Sequence, residues 1–160
     1  MNADTPAGIP TAGPAAADAA ADADSVDTIV YAVEPGLSAD AFIDVLHRSG
    51  LAERRPVADR PRVEAMLRNA DLIITARAGG DLVGVARSVT DFVYCCYLSD
   101  LAVDRAFQGR GIGKELMRRT RAAVGEGTSC LLLSAPKAVT FYENAGLERH
   151  AQAFLFTAKP

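Results

Sequence analysis

The sequence predicts one α/β domain of the mixed (α+β) kind, a mostly antiparallel sheet with helices packed against it. Three observations lead there. Apolar residues recur with period two in some segments and with period 3.6 in others, giving the order β-α-α-β-β-β-α-β-α-β. Three of those strands follow one another with only turn-length segments between them, which makes them antiparallel neighbours. A strand then runs directly into an amphipathic helix through a loop holding Gly109, Gly111 and Gly113. At 160 residues the chain has room for one hydrophobic core and not for two ordinary domains.

The elements are justified in order. Residues 26–33 are β-branched and partly alternating, and Glu34-Pro35-Gly36 breaks them, so they read as a first strand. Ser38 can cap a helix whose Phe42, Val45, Leu46 and Ser49 share a face, with Gly50 where a left-handed residue would end it. Asp59 before Pro61 opens a second helix, with Val63, Met66, Leu67 and Ala70 on one stripe. Residues 72–77, a turn at 78–81 and residues 82–90 read as a hairpin, and 92–103 as a further strand. In the helix at 111–124, Ile112, Leu116, Met117, Thr120 and Val124 face inward, while Lys114, Arg118, Arg119 and Arg121 face solvent. A strand at 129–133, a helix opened by Pro136 and closed by Gly146, and a strand at 147–157 complete the order.

Residues 1–25 are mostly Ala, Asp, Pro, Gly and Thr, with one Ile and no aromatic, a composition that buries too little surface to offset the entropy of ordering. They are expected to form a disordered tail ahead of a single domain at 26–160. Neither a basic and apolar signal nor an arginine-rich presequence is visible in them, so a cytoplasmic location is expected. No apolar run approaches the roughly 20 residues that cross a bilayer, which argues against a membrane partner. Asp4, Asp18, Asp22 and Asp24 lie in the tail; without them the remainder carries 17 basic and 16 acidic residues, a net charge of +1 against −3 for the whole chain. A near-neutral body argues against nucleic acid as a partner. Cys95, Cys96 and Cys130 sit in apolar runs without a CxxC spacing and read as buried, reduced strand residues; with His47 and His150 isolated, no metal site is expected.

The chemistry lies in the loop. Glycines there let the backbone turn sharply and approach a ligand, and the first N–H groups of the helix that follows have no internal partners. With the positive end of the helix dipole they make an anion site to which Arg110 and Lys114 can add charge, suited to a pyrophosphate. A P-loop would need Ser or Thr after Lys114, where Glu115 stands, and lacks its upstream glycine; a dinucleotide fold would need GxGxxG early in the chain.

Gln108-Gly109-Arg110-Gly111-Ile112-Gly113, following a strand that ends Leu101-Ala102-Val103, resembles the coenzyme-binding motif of the GCN5-related N-acetyltransferase (GNAT) family. The likeness continues through Ala135-Pro136-Lys137-Ala138-Val139-Thr140-Phe141-Tyr142-Glu143-Asn144-Ala145-Gly146-Leu147, and the element order agrees from Val26 onward. The resemblance implies helices on both faces of the sheet, a splayed central strand pair and acetyl-CoA as co-substrate, bound at Leu101, Ala102, Val103, Gln108, Gly109, Arg110, Gly111, Ile112, Gly113 and Lys114. It also implies a primary amine of a small molecule or peptide as acceptor. A dimer through the C-terminal strand is common in the family.

In that family the strand before the loop carries a bulge and parts from its neighbour to admit the pantetheine arm. Here those strands are 92–103 and 129–133. A freed backbone N–H near Leu101 would bind the thioester carbonyl, and backbone atoms of Leu101 and Val103 the arm. The protonated acceptor needs a base or a water chain; Asp100 is the candidate base, with a carboxylate tied to an arginine or amide as the alternative. Tyr142 matches the tyrosine that protonates the departing thiolate, the alternative being a core aromatic. Ser134 and Asn144 are candidates for the pantetheine amides or the adenylate end. Polyamine-type members carry a second acidic residue where this chain has Ser99, which weakens that acceptor. Arg54, Arg55, Arg60 and Arg62 lie where relatives place acceptor wall; facing the slot, they would favour an acceptor with a carboxylate or phosphate. A coenzyme-binding sensor without turnover and a small ATP-binding domain are the competing functions.

Overall fold

The computed structural model of the protein describes residues 28–156. The expected tail at 1–25 and Thr157 of the expected last strand lie outside them. The order is β1 (Ile29–Val33), α1 (Ala39–Ser49), α2 (Arg60–Arg68), β2 (Leu72–Ala78), β3 (Asp81–Thr90), β4 (Cys95–Val103), α3 (Ile112–Val124), β5 (Ser129–Leu131) and α4 (Val139–Asn144). The strands form one sheet in chain order. Four run antiparallel, and β5 joins β4 in parallel because α3 carries the chain back.

Local chemistry fixes the helix ends as expected. Ser38 Oγ accepts the Ala41 N–H at 3.3 Å, and Gly50, at φ +86°, ends α1 in the left-handed conformation. Asp59 Oδ1 accepts the Arg62 N–H at 3.1 Å at the start of α2. Apolar faces then decide the layers. Phe42, Val45 and Leu46 of α1 and Val63 and Leu67 of α2 pack with Ile73, Val85 and Ala102 on one face of the sheet. On the other face Ile112, Leu116 and Val124 of α3 pack with Ile74, Val83, Ala86, Cys96 and Leu98.

Two register shifts interrupt the sheet. Ala76 faces Gly84 and Arg77 faces Leu82, so Val83 is the extra residue of a bulge in β3, and Val83 and Gly84 both turn toward α3. A Cβ on Gly84 would lie 3.1 Å from both Ile112 Cγ2 and Leu116 Cδ1, so the missing side chain lets α3 sit close on the strand. In the second shift Arg87 faces Asp100 and Ser88 faces Leu98, leaving Ser99 as the extra residue of β4.

Three expectations change. β4 begins at Cys95 rather than 92, because Asp91 Oδ1 gathers the N–H groups of Val93, Tyr94 and Cys95 at 2.8–3.0 Å and Phe92 turns left-handed at φ +58°. The strand expected at 129–133 stops at Leu131, where its pairing with β4 ends. Residues 147–156 form no strand: β5 has left the sheet after three residues and offers them no ladder, and Phe154, Leu155 and Phe156 stand exposed. The expected C-terminal dimer strand is therefore not formed within these residues.

The close seat of α3 on Gly84 predicts that Gly84→Val overpacks the interface. Urea unfolding is expected to show a loss of about 1–3 kcal/mol; unchanged stability would show that α3 moves away freely.

Candidate active site

The loop between β4 and α3 is anchored before it turns. Asp104, buried at the end of β4, accepts from Arg48 Nη1 of α1 and from the Ala106 N–H at 2.9 Å. Its own N–H donates to Val83 O at 2.9 Å, and Arg48 Nη2 donates to Leu82 O at 2.6 Å. Strand end, β3 and α1 are thus tied at one point. Gln108 Nε2 then donates back to Val103 O at 3.0 Å.

Gly109 and Gly111 both adopt positive φ, +80° and +82°, with nothing within 4 Å of where a Cβ would stand; the backbone angle, not crowding, requires glycine there. Gly111 caps α3 without any side-chain hydrogen bond, so the amides of the first turn are open to an anion. A Cβ on Gly113 would lie 3.0 Å from Phe141 Cζ, which is how α4 docks onto that turn. Lys114 Nζ reaches Asn144 O at 3.3 Å, and the Arg110 guanidinium lies 5.1 Å from the Phe107 ring centroid. Gly109–Gly113 fit a pyrophosphate by conformation. The side chains of Ala102 and Ile112 are buried in the two cores.

Beyond the loop the sheet opens. β4 and β5 pair only at Cys95–Ser129, Cys96–Cys130 and Tyr97–Leu131; from Leu98 to Val103 that edge of β4 has no strand partner among the described residues. Leu101 and Val103 are half-buried along it. Ser134 lies in the segment leading to α4, its hydroxyl donating to Ala135 O at 2.7 Å. A groove of about 680 Å³ adjoins α3 and β5, with Leu98, Lys114, Arg118, Thr128, Cys130 and Asn144 on its walls. Of the three cysteines only Cys96 is buried, since the edge position of β5 exposes Cys130 and the turn before β4 exposes Cys95.

The bulge at Ser99 sends Asp100 to the α1/α2 face. There its carboxylate is fully buried and held by two arginines: Arg55 Nε donates to Oδ1, and Arg87 Nε to Oδ2 at 2.5 Å. Arg55 Nη2 also donates to Ser99 O at 2.6 Å, and Arg87 Nη2 to Ser99 Oγ at 2.9 Å. With both oxygens occupied by guanidiniums, the geometry favours the arginine-tied reading of Asp100 over the base. Of the four arginines between the first helices, Arg55 alone joins this cluster: Arg60 pairs with Asp40 and Glu64, and Arg54 and Arg62 are exposed. Arg87 escaped the sequence reading; its signal was an arginine inside the apolar run of β3, a position such a residue occupies only when paired.

Tyr142, half-buried on α4, packs edge-on to Phe141 with centroids 5.1 Å apart. Burial pushes its phenol above the ordinary value of 10.0, and the Arg55 charge opposes the shift. The charge of Arg55, which holds Asp100, therefore reaches Tyr142 on α4.

The family model of an acetyltransferase (GNAT) domain matches residues 69–149. The chain is 30% identical to GCN5-related N-acetyltransferase 2, chloroplastic, of Arabidopsis thaliana, over 69% of this chain and 52% of that protein, so it spans about half of that relative's length. It is 29% identical to the N-acetyltransferase ycf52 of Pyropia yezoensis, over 69% of this chain and 68% of that one. Among solved structures, a GNAT-family acetyltransferase, SP0256 of Streptococcus pneumoniae, superposes with a TM-score of 0.69 at 20% identity, over 83% of this chain and all of that one, a likeness of fold.

Asp100→Asn would leave the buried Arg87 and the partly exposed Arg55 facing an uncharged group. A destabilisation of about 3–5 kcal/mol is expected in urea unfolding, the cost of breaking a buried ion pair from one side; a change below about 1 kcal/mol would show that the cluster is solvated.

Proposed function

The chain belongs to the acetyltransferase (GNAT) family, and we propose that it transfers an acetyl group from acetyl-CoA to a primary amine of a small molecule or peptide in a ternary complex. One observation carries the reading: the edge of β4 that β5 leaves unpaired beyond Tyr97 runs into left-handed glycines and a helix without a side-chain cap.

Amides of Gly111, Ile112 and Gly113, with Arg110 and Lys114, would hold the pyrophosphate; backbone groups of Leu101 and Val103 would hold the arm, with Ser134 and Asn144 toward its far end. The coenzyme supplies an acyl group activated as a thioester. The Leu101 N–H, just past the bulge, would donate to the thioester oxygen as it gains charge. Tyr142 would give its proton to the departing sulfur. Proton removal from the amine falls to water in the opening, because both Asp100 oxygens are taken by arginines. The half-buried phenol holds its proton to higher pH than an ordinary tyrosine, whose pKa is near 10. A cytoplasmic location belongs to the same reading and rests on composition alone.

A coenzyme sensor would bind the same way without turnover. Release of CoA thiol against a panel of amines and peptides separates the two, and Tyr142→Phe is expected to lower kcat about 10²–10⁴-fold with acetyl-CoA affinity retained. Absence of thiol release on every acceptor would favour the sensor. kcat/KM is expected to rise with pH up to about 10, with no falling limb below that, because the acceptor gains its free base while Tyr142 stays protonated.

Acetyl-CoA at a hundredfold excess over its dissociation constant is expected to stabilise the fold by about 2.7 kcal/mol, and Mg-ATP by less. Gly111→Val, which forces a β-branched residue to positive φ, is expected to remove that stabilisation. Equal stabilisation of the variant would detach the loop from coenzyme binding.

A further inference from the structure

We propose that Arg55 binds a carboxylate or phosphate group of the acyl acceptor, so that the substrate is a small anionic amine; this rests on the acetyltransferase reading of the same site.

The charge count at the bulge is unequal. Asp100 is the one carboxylate paired with Arg55 or Arg87 among the described residues, so one buried negative charge faces two positive ones. A surplus cation at a site withdrawn from water attracts an anion far more strongly than one on the surface. The two arginines differ in what they can reach. Arg87 has only 8% of its side chain exposed, and its fork is turned inward onto Asp100, Ser99 Oγ and Met66 O. Arg55 is 20% exposed and lies where α1 gives way to α2, at the level where β4 parts from β5.

The donors of Arg55 also fit. A guanidinium has five N–H groups. Nε is spent on Asp100, one Nη2 hydrogen on Ser99 O and one Nη1 hydrogen on Arg54 O at 2.9 Å. One hydrogen on each terminal nitrogen remains, and two donors on adjacent nitrogens match the paired oxygens of a carboxylate or phosphate. Asp100 and Ser99 O hold the group in place, so it presents those donors already oriented. The Arg55 charge is near enough to Tyr142 to act on its phenol. An amine anchored there by its anion would stand beside the acyl group. The phosphate-binding loop is separate, at the far end of β4 beyond Asp104.

The test uses matched pairs that differ by the anion: tyrosine and tyramine, lysine and cadaverine, phosphoethanolamine and ethanolamine. Each is titrated calorimetrically into the CoA-loaded protein, and each is assayed for thiol release from acetyl-CoA. In at least one pair the anionic member is expected to bind, and to be turned over, at least tenfold better by Kd and kcat/KM. The carboxylate and phosphate arms tell which anion is preferred. In Arg55→Gln that ratio is expected to fall at least tenfold, with Arg55→Lys intermediate because it keeps the charge and loses the fork. Equal or weaker binding of the anionic member in every pair overturns the proposal from the wild type alone, as does an unchanged ratio in an Arg55→Gln protein that acetyl-CoA still stabilises. Preferential binding without thiol release upholds the role of Arg55 and overturns the transferase reading; release that is equal for both members does the reverse.

Discussion

In β4 the period of two is broken once, at Ser99, where two residues face one on β3 and every side chain beyond changes face. Cys96 and Leu98 pack under α3 before the break; Ala102 packs under α1 and α2 after it, while Leu101 and Val103 return to the α3 side. Without the extra residue Asp100 would follow Leu98 into the apolar layer beneath α3, where no arginine waits. With it, the carboxylate meets Arg55 and Arg87. A bulge also sharpens the local bend and twist of its strand. The open edge of β4 begins beside Ser99, where the ladder to β5 has ended at Tyr97.

Two ion clusters then brace that edge at its two ends. Asp100 is held by Arg55 and Arg87 near the bulge, and Asp104 by Arg48 where the strand enters the glycine loop. Both Arg48 and Arg55 come from the end of α1 or the connection after it, so one short piece of chain fixes both limits of the opening. Buried ion pairs add little net stability over apolar packing, since desolvation offsets most of their attraction. What they impose is a single arrangement: any other register leaves a buried charge without its partner. An edge that lacks a neighbouring strand needs such bracing, because its own ladder supplies half the usual hydrogen bonds.

α4 is short, and its position is decided from outside. The bare Cα of Gly113 admits Phe141 against the first turn of α3, and Lys114 reaches the Asn144 carbonyl at the end of α4. Gly111 leaves the first amides of α3 without a side-chain cap, and Gly113, two residues on, seats the helix that carries Tyr142. The glycine loop and α4 are thus joined through the contact of Gly113 with Phe141.

The sequence by itself determined the elements whose causes are local. Caps at Ser38 and Asp59, the left-handed Gly50 and Gly146, the apolar stripes of α1, α2 and α3, and the strand-to-helix glycine junction all depend on residues within a few positions of one another. Tertiary structure alone decided the rest. Asp100 could be read as a base or as a tied carboxylate because its two partners stand 45 and 13 residues away, and no spacing rule reaches them. The bulge falls at Ser99, a position the sequence did not specify, because register is set by the facing strand and by which face each side chain can bury. Residues 147–156 carry apolar character but form no strand, since β structure exists only where a neighbour supplies the other half of each hydrogen bond. A helix is stabilised within its own turn; a sheet, a buried charge and an active site each require a partner that only the folded chain brings near.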